Sequence, residues 1–171
     1  PFKINLLTGA STSDHVDGAL SRANALNFRA PYQNVPDLRK RINSHDCHYN
    51  DRHLSEMAQE VRYGFYGKVD WAIIEAADIT PDGEVILGTG VGNIPTYAKL
   101  ADKIFIELNE ALPKALYGMH DIYLPADPPY RREIPIYAAN ARIGSPVLKI
   151  DPNKVVGIVR TKSYDGVKPF T

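Results

Sequence analysis

The chain has 171 residues, of which 44% are hydrophobic and 23% are charged, and its 20 basic and 20 acidic residues give a formal net charge of zero. This is the composition of a globular protein that is long enough to bury a core. It argues against a general nucleic-acid surface, and no apolar run reaches the roughly 18 residues of a membrane span. The single cysteine, Cys47, cannot form an internal disulfide, which fits a reducing compartment.

The chain opens with a predicted strand that leads into a polar turn. Residues 2–7 alternate weakly between apolar and polar, and they run into a Gly-, Ser- and Thr-rich turn over residues 8–13. Ligands of α/β proteins bind at the carboxyl ends of strands, and such a turn offers hydroxyl and N–H groups to an anion. The alternative is that the turn only caps the next helix, whose apolar residues have helical spacing from Val16 onward.

Two further helices are predicted before residue 68. Pro36 suits the first turn of a helix whose Arg39-Lys40-Arg41 cluster could meet a phosphate, although such a cluster is more typical of a solvated face. Residues 45–53 contain His, Cys and Asp, but their spacing does not match a closed zinc site, so no metal is predicted. Asp51 is interpreted as the cap of the second helix, which has an apolar stripe.

Residues 69–109 carry the strongest structural pattern of the chain. They contain three nearly continuous apolar runs, at residues 69–76, 84–87 and 103–108. The first and last runs predict strands buried on both faces, as in a parallel sheet with helices on each side. Turn residues at 80–83 predict that the first two strands form a hairpin. Asn93 and Pro95 predict the start of a helix that crosses to the third strand.

The glycine-rich loop at residues 88–93 invites comparison with a dinucleotide-binding fingerprint. Asn93 stands where the third glycine is required, and the acidic residue expected about 20 positions later would be Glu107 or Glu110. A sharp turn before a helix explains the same glycines. In either interpretation, the loop precedes a helix N-terminus, which is a possible anion site.

The second half of the chain offers two further groups of interest. His120 and Asp121 could be half of a nucleophile-activating pair, but adjacent residues rarely orient each other as a triad requires. After a proline-rich extended segment at residues 125–135, Arg142 could bind a carboxylate with its planar guanidinium, although a lone arginine at such a position is more commonly a surface residue. Residues 146–150 and 155–159 are predicted as the last strands.

Six motifs, in order, resemble the family of acetyl-CoA hydrolases and succinyl-CoA:acetate CoA-transferases. They are APYQ…LRKRIN (30–43), DRHLSEM (51–57), VGN-P (91–95), GMHDIY (118–123), RIGS (142–145) and DPNKVVGIV (151–159). The resemblance covers nearly the whole chain. It implies an α/β fold with an open, mostly parallel sheet and helices on both faces, as in CoA-transferase-like (NagB/RpiA-like) domains. It also implies that residues 1–171 form a single domain, most of the N-terminal domain of a longer two-domain protein.

The resemblance further implies an enzyme of acetate and acetyl-CoA metabolism that moves coenzyme A between small carboxylic acids such as acetate, propionate and succinate. In this family a glutamate carries CoA as a thioester. Because that glutamate belongs to the C-terminal half, no catalytic residue is expected here, and the chain alone is expected to be inactive. The alternatives are an acyl-CoA (acetyl-CoA) hydrolase and, from another class, a non-catalytic CoA- or nucleotide-binding domain.

The family's carboxylate-binding residues match Thr8 and Arg142 of this chain. Four further positions are expected in the cleft, namely Gly9, Ser11, Asn93 and Tyr130. Coenzyme A is expected as a substrate, without a permanently bound cofactor or a metal. The expected partners are acyl-CoA, small carboxylates, the C-terminal domain of the same protein and a second copy in a homodimer, but neither nucleic acid nor a membrane. The expected location is cytoplasmic, or mitochondrial in a eukaryote.

Overall fold

The computed structural model describes residues 2–11 and 13–164, and these form two compact units. The first unit ends at Glu60 and the second begins at Val61. Both units combine helices with parallel strands, so the predicted α/β class is confirmed. The strands divide between a three-stranded sheet and a five-stranded sheet. No helix in the described ranges is long and apolar enough to cross a membrane. The assignment of the chain to one domain of a longer protein stays a prediction.

The first unit is built on a three-stranded parallel sheet. Its strands are β1 (Ile4–Ser11), β2 (Leu26–Gln33) and β3 (His48–Tyr49), which pair in the order β1-β2-β3. Its helices are α1 (Asp17–Arg22), α2 (Pro36–Asn43) and the first part of α3 (Leu54–Arg62). Leu26, Val35, Leu38 and Cys47 form the buried core of this unit, and burial raises the pKa of the Cys47 thiol.

Strand β1 continues through the residues that were predicted as a turn. Leu7 pairs with Ala30 and Ala10 pairs with Tyr32, so Thr8 and Gly9 lie opposite the single residue Pro31. Proline has no N–H group to complete the ladder, and the extra residue of β1 forms a bulge at this point. The prediction that the strand ends before Thr8 is therefore wrong. Thr12, which belonged to the predicted turn, lies outside the described residues.

A fully buried ion pair joins α1 to β2 in the first unit. Arg29 donates from Nε to Asp17 Oδ1 at 2.9 Å and from Nη2 to Asp17 Oδ2 at 3.0 Å. The same guanidinium donates to the carbonyl oxygens of Ala30 and Tyr32. Both charged side chains have an exposed fraction of 0%. The buried pair thus fixes the carboxyl-terminal half of β2 to helix α1.

The second unit is built on a five-stranded mixed sheet with the order β7-β5-β4-β6-β8. Its strands are β4 (Trp71–Ile79), β5 (Glu84–Leu87), β6 (Lys103–Asn109), β7 (Leu148–Lys149) and β8 (Val155–Thr161). Strands β4, β6 and β8 are parallel, whereas β5 pairs antiparallel with both β4 and β7. Helix α4 (Ile94–Leu100) connects β5 to β6. The predicted hairpin and the crossover helix are confirmed.

The two faces of β4 differ in burial. Ala72, Ile74 and Ala76 are buried in the main core of this unit, together with Ile104 and Ile106 of β6. On the opposite face, Trp71 is 52% exposed and Ile73 is 75% exposed. The continuous apolar run predicts burial of both faces of β4. This prediction is wrong at Trp71 and Ile73, because the described residues leave much of these two side chains uncovered.

Candidate functional site

The loop that carries Arg142 is bound to the segment that carries the GMHDIY motif. We call residues 142–145 the Arg142 loop. Ile122 N donates to Ser145 O at 2.8 Å, and Ser145 N donates to Ile122 O at 3.0 Å, which forms an antiparallel bridge. A Cβ atom at Gly144 would lie 2.2 Å from Ile122 O, so this close approach requires a glycine. Two motifs about 20 residues apart thus form one structure.

Asp121 holds the backbone of the Arg142 loop. Its Oδ1 accepts a hydrogen bond from Gly144 N at 2.6 Å, and both of its carboxylate oxygens lie 3.2 Å from Ile143 N. The neighbouring His120 points to a different partner, since its Nε2 lies 3.2 Å from Leu87 O. The structure therefore does not support the interpretation of His120 and Asp121 as a nucleophile-activating pair. Sequence reasoning missed the anchoring role of Asp121.

Arg142 is exposed, and only one corner of its guanidinium is engaged. Nη1 donates to Gly118 O at 2.7 Å and is 3.5 Å from His120 O. Within the described ranges, Nε and Nη2 make no hydrogen bond or ion pair. These two nitrogens form one edge of the planar fork, and such an edge can donate two parallel hydrogen bonds to a carboxylate. The hydrogen bond to Gly118 O therefore orients the side chain, which retains the two donors that bidentate binding requires.

Thr8, the other predicted carboxylate ligand, belongs to the first unit. Its Oγ1 donates to Gly9 O at 2.6 Å within the β1 bulge, and its side chain is half-buried. An ionised carboxylate only accepts hydrogen bonds, so it would compete with Gly9 O for the Thr8 hydroxyl proton. Gly9 and Ser11 are also half-buried. Thr8 belongs to the first unit and Arg142 to the second.

The glycine-rich loop lies between β5 and α4. Asn93 occupies the N-cap position of α4, where its carbonyl accepts from Thr96 N at 3.0 Å and Tyr97 N at 3.2 Å, but its side chain does not cap the helix. A dinucleotide fingerprint needs a parallel strand–helix–strand unit. Strand β5 is antiparallel to β4, which is parallel to β6, so this unit does not have that topology. The geometry favours the interpretation of the glycines as a turn, with Gly92 at φ +44°.

Tyr130 lies in the proline-rich segment and is 79% exposed. This segment is fixed near its start by Asp127, which accepts from Arg62 Nε at 2.9 Å and from Arg62 Nη2 at 2.7 Å. Arg62 also donates to Thr96 Oγ1 at 3.2 Å. The hydrogen bonds from Arg62 hold the pKa of the Asp127 carboxyl below its ordinary value. The expected position of Tyr130 in a ligand cleft stays a prediction.

Two carboxylates lie side by side on the paired strands β4 and β6. Glu75 and Glu107 are direct neighbours in the parallel register. Asn109 Nδ2 donates to Glu75 Oε1 at 2.7 Å, and Thr161 Oγ1 donates to Glu107 Oε1 at 2.8 Å. Each half-buried carboxylate thus has the polar partner that its position demands. Among the described residues, no group of three or more His, Cys, Asp or Glu side chains is arranged to hold a metal ion.

Comparison with known proteins identifies the family. Residues 1–160 match the acetyl-CoA hydrolase/transferase N-terminal domain. The chain therefore belongs to the acetyl-CoA hydrolase/transferase family, and the resemblance drawn from its motifs is confirmed.

Three relatives illustrate the similarity. The chain is 45% identical over 170 residues to the succinyl-CoA:acetate CoA-transferase of Clostridium kluyveri, covering 99% of this chain and 32% of the relative. It is 46% identical over 165 residues to the propanoyl-CoA:succinate CoA transferase of Escherichia coli, covering 96% and 34%. It is 39% identical over 170 residues to the acetyl-CoA hydrolase of Schizosaccharomyces pombe, covering 96% and 32%. The chain thus spans about a third of the length of these relatives.

Proposed function

We propose that this chain forms the N-terminal part of an acyl-CoA:carboxylate CoA-transferase that moves coenzyme A between small acids such as acetate, propionate and succinate. Two relatives named as CoA transferases are 45% and 46% identical to the chain, whereas the Schizosaccharomyces pombe relative, which is named as a hydrolase, is 39% identical. The partners in this proposal are acyl-CoA, the carboxylic acids, the C-terminal domain of the same protein and a second copy of it.

The exposed Nε–Nη2 edge of Arg142 is the observation that carries this proposal. A free carboxylate needs a fixed positive charge with two parallel donors, and a guanidinium cannot lose its proton at any working pH. Nη1 is already held by Gly118 O, so the remaining edge is presented without freezing a long flexible side chain on binding. In this proposal Arg142 binds the free acid, and CoA is bound mainly by residues outside this chain.

The proposed reaction exchanges one carboxylate for another without loss of the acyl group to water. A glutamate carboxylate outside this chain attacks the carbonyl carbon of the acyl-CoA and expels CoA thiolate, which leaves a mixed anhydride. The thiolate then attacks the glutamyl carbonyl of that anhydride, releasing the first acid and forming a glutamyl-CoA thioester. The second acid enters and reverses these steps. Arg142 neutralises the charge of whichever free acid is present.

The test is Arg142→Lys in the complete protein that this proposal implies. Lysine keeps the charge but cannot make the bidentate contact, so the KM of the acceptor acid rises by about tenfold or more, while formation of the enzyme thioester from acyl-CoA changes much less. Arg160→Lys is the matched control, because Arg160 is an exposed arginine that pairs with Glu110 at 3.2 Å. A rise in the KM of acyl-CoA as large as that of the acid would remove the assigned role of Arg142.

Thr8 remains a proposed carboxylate ligand and is tested separately. Thr8→Ser keeps the hydroxyl that now donates to Gly9 O, whereas Thr8→Val removes it at nearly the same volume. A direct role predicts that serine preserves the KM of the acceptor acid and that valine raises it. If both variants raise it equally, the shape of the β1 bulge matters rather than the hydroxyl.

The second candidate function is acyl-CoA hydrolysis, which the similarity to the Schizosaccharomyces pombe acetyl-CoA hydrolase favours. Water then replaces the acceptor acid at the same glutamyl thioester. Product analysis with and without acetate or succinate separates the two functions, since loss of thioester that does not depend on added acid indicates a hydrolase. The 171-residue chain alone serves as the blank, because the proposal expects it to be inactive.

A further inference from the structure

We propose that Asp121 is the positioning residue of Arg142. The inference rests on the proposed role of Arg142 in binding the free acid, and it gives Asp121 a role other than the nucleophile-activating pair with His120 that the sequence suggested. The side chains of Asp121 and Arg142 do not hydrogen-bond to each other. It acts on the backbone, and thereby on the direction in which the guanidinium is presented.

The geometry places Asp121 directly behind the Arg142 loop. Its carboxylate accepts from the N–H groups of Ile143 and Gly144, which are the two residues that follow Arg142. The Arg142 guanidinium in turn donates from Nη1 to Gly118 O, three residues before Asp121. The segment 118–121 therefore holds the arginine at both ends, by its backbone neighbours and by one guanidinium nitrogen.

Charge makes this anchor stronger than an ordinary loop contact. A carboxylate that accepts backbone N–H groups forms short, charge-assisted hydrogen bonds, and the contact from Gly144 N is 2.6 Å long. Residues 138–144 contain no helix or strand, so regular structure does not restrain the arginine. Without Asp121, the backbone hydrogen bonds described for the Arg142 loop are those of the bridge between Ile122 and Ser145. Bidentate contacts lose strength quickly with small displacements, so a looser loop weakens acid binding.

The alternative is that Asp121 only stabilises the fold, as a capping carboxylate does. The two roles differ in what they change. A purely structural anchor lowers Tm and the amount of folded enzyme, and it leaves the KM values of the folded fraction alone. A positioning residue raises the KM of the acceptor acid selectively, because the donor acyl-CoA is recognised mainly through its CoA portion.

The experiment uses Asp121→Ala and Asp121→Asn in the complete enzyme. Alanine removes every acceptor and is expected to raise the KM of the acceptor acid by about tenfold, with the KM of acyl-CoA changed by less than about twofold. Asparagine keeps one side-chain oxygen that can accept from Gly144 N but loses the charge, so its effect is expected at about threefold. Asp151→Asn is the matched control, since Asp151 is an exposed carboxylate that accepts from Asn153 N at 2.9 Å without touching the Arg142 loop.

Arg142→Lys, alone and combined with Asp121→Ala, separates the two proposals. If Asp121 acts through the arginine, Asp121→Ala raises the KM of the acid much less in the Arg142→Lys background than alone. If Arg142→Lys leaves that KM unchanged, the proposed function fails. If Arg142→Lys raises it but both Asp121 variants leave it unchanged or alter all kinetic parameters equally, the positioning role fails. Should Asp121→Ala not fold, the graded effect of Asp121→Asn decides the same question.

Discussion

Two aspartate–arginine arrangements, one in each unit, differ in almost every physical respect. Asp17 and Arg29 in the first unit are fully buried and joined by two direct hydrogen bonds. Asp121 and Arg142 in the second unit are exposed, and they are linked only through the backbone of the segments that they hold. The guanidinium of Arg29 donates to two carboxylate oxygens and two carbonyl oxygens. The guanidinium of Arg142 keeps one edge open.

This difference separates a structural arginine from a candidate binding arginine. A buried charge must have all its donors satisfied, which leaves none for a ligand, and losing its partner is expensive. An exposed arginine adds little to stability, but a fixed orientation with unused donors suits it to recognition. Whether the guanidinium donors are already hydrogen-bonded or still unused thus distinguishes Arg29 from Arg142, which have the same residue type and the same charge.

The largest effect on stability is expected for Asp17→Asn. The substitution leaves the Arg29 charge buried without its partner, so unfolding of the first unit becomes easier by about 3–5 kcal/mol. The measurement is hydrogen exchange of the β2 amides. Trp71 is the only tryptophan of the chain and lies in β4 of the second unit, so its fluorescence reports that unit separately. A loss below about 1 kcal/mol would show that burial does not distinguish the two arrangements.

A smaller and pH-dependent effect is expected for Asp127→Asn. Arg62 is nearly buried and binds Asp127 with charge-assisted hydrogen bonds, so the variant loses about 1–2 kcal/mol at neutral pH. Because the folded-state pKa of Asp127 is lowered, this contribution is present above the ordinary carboxyl pKa and is lost as the pH falls through the folded value. Urea unfolding followed by Trp71 fluorescence is therefore expected to give converging midpoints for the two proteins in acid. A difference that stays constant with pH would exclude the ion pair as its cause.

Sequence reasoning succeeded where the structure depends on local pattern. The turn at residues 80–83, the apolar run that became β6 and the helix start at Asn93 were all predicted, because turn chemistry and periodicity act over a few neighbours. It failed where the outcome depends on a distant segment. The extension of β1 through Thr8 follows from its pairing with β2, and the exposure of Ile73 depends on what lies above β4.

The candidate site shows the same limit. The resemblance of RIGS to a family motif is what indicates Arg142, since a lone arginine before a strand carries no specific signal. Asp121 was visible only as the neighbour of His120, and its real partners are backbone N–H groups more than 20 residues later. Every residue type except proline supplies an N–H group there, so sequence composition could not reveal the contact. The one usable signal was Gly144, whose missing side chain permits the approach of Ile122.

The smallest effect on stability is expected for Arg22→Gln in the first unit. Arg22 forms ion pairs with Asp14 and Asp37 at 2.9 Å each, and its hydrogen bonds lower the pKa of the Asp14 carboxyl. All three side chains are exposed, so solvent and salt screen the attraction. Hydrogen exchange of the β2 amides should therefore change little at low salt and not at all at high salt, whereas the effect of Asp17→Asn should survive added salt. If Arg22→Gln destabilised the unit as much as Asp17→Asn, the number of ion pairs rather than their burial would determine stability, and the distinction drawn between Arg29 and Arg142 would lose its basis.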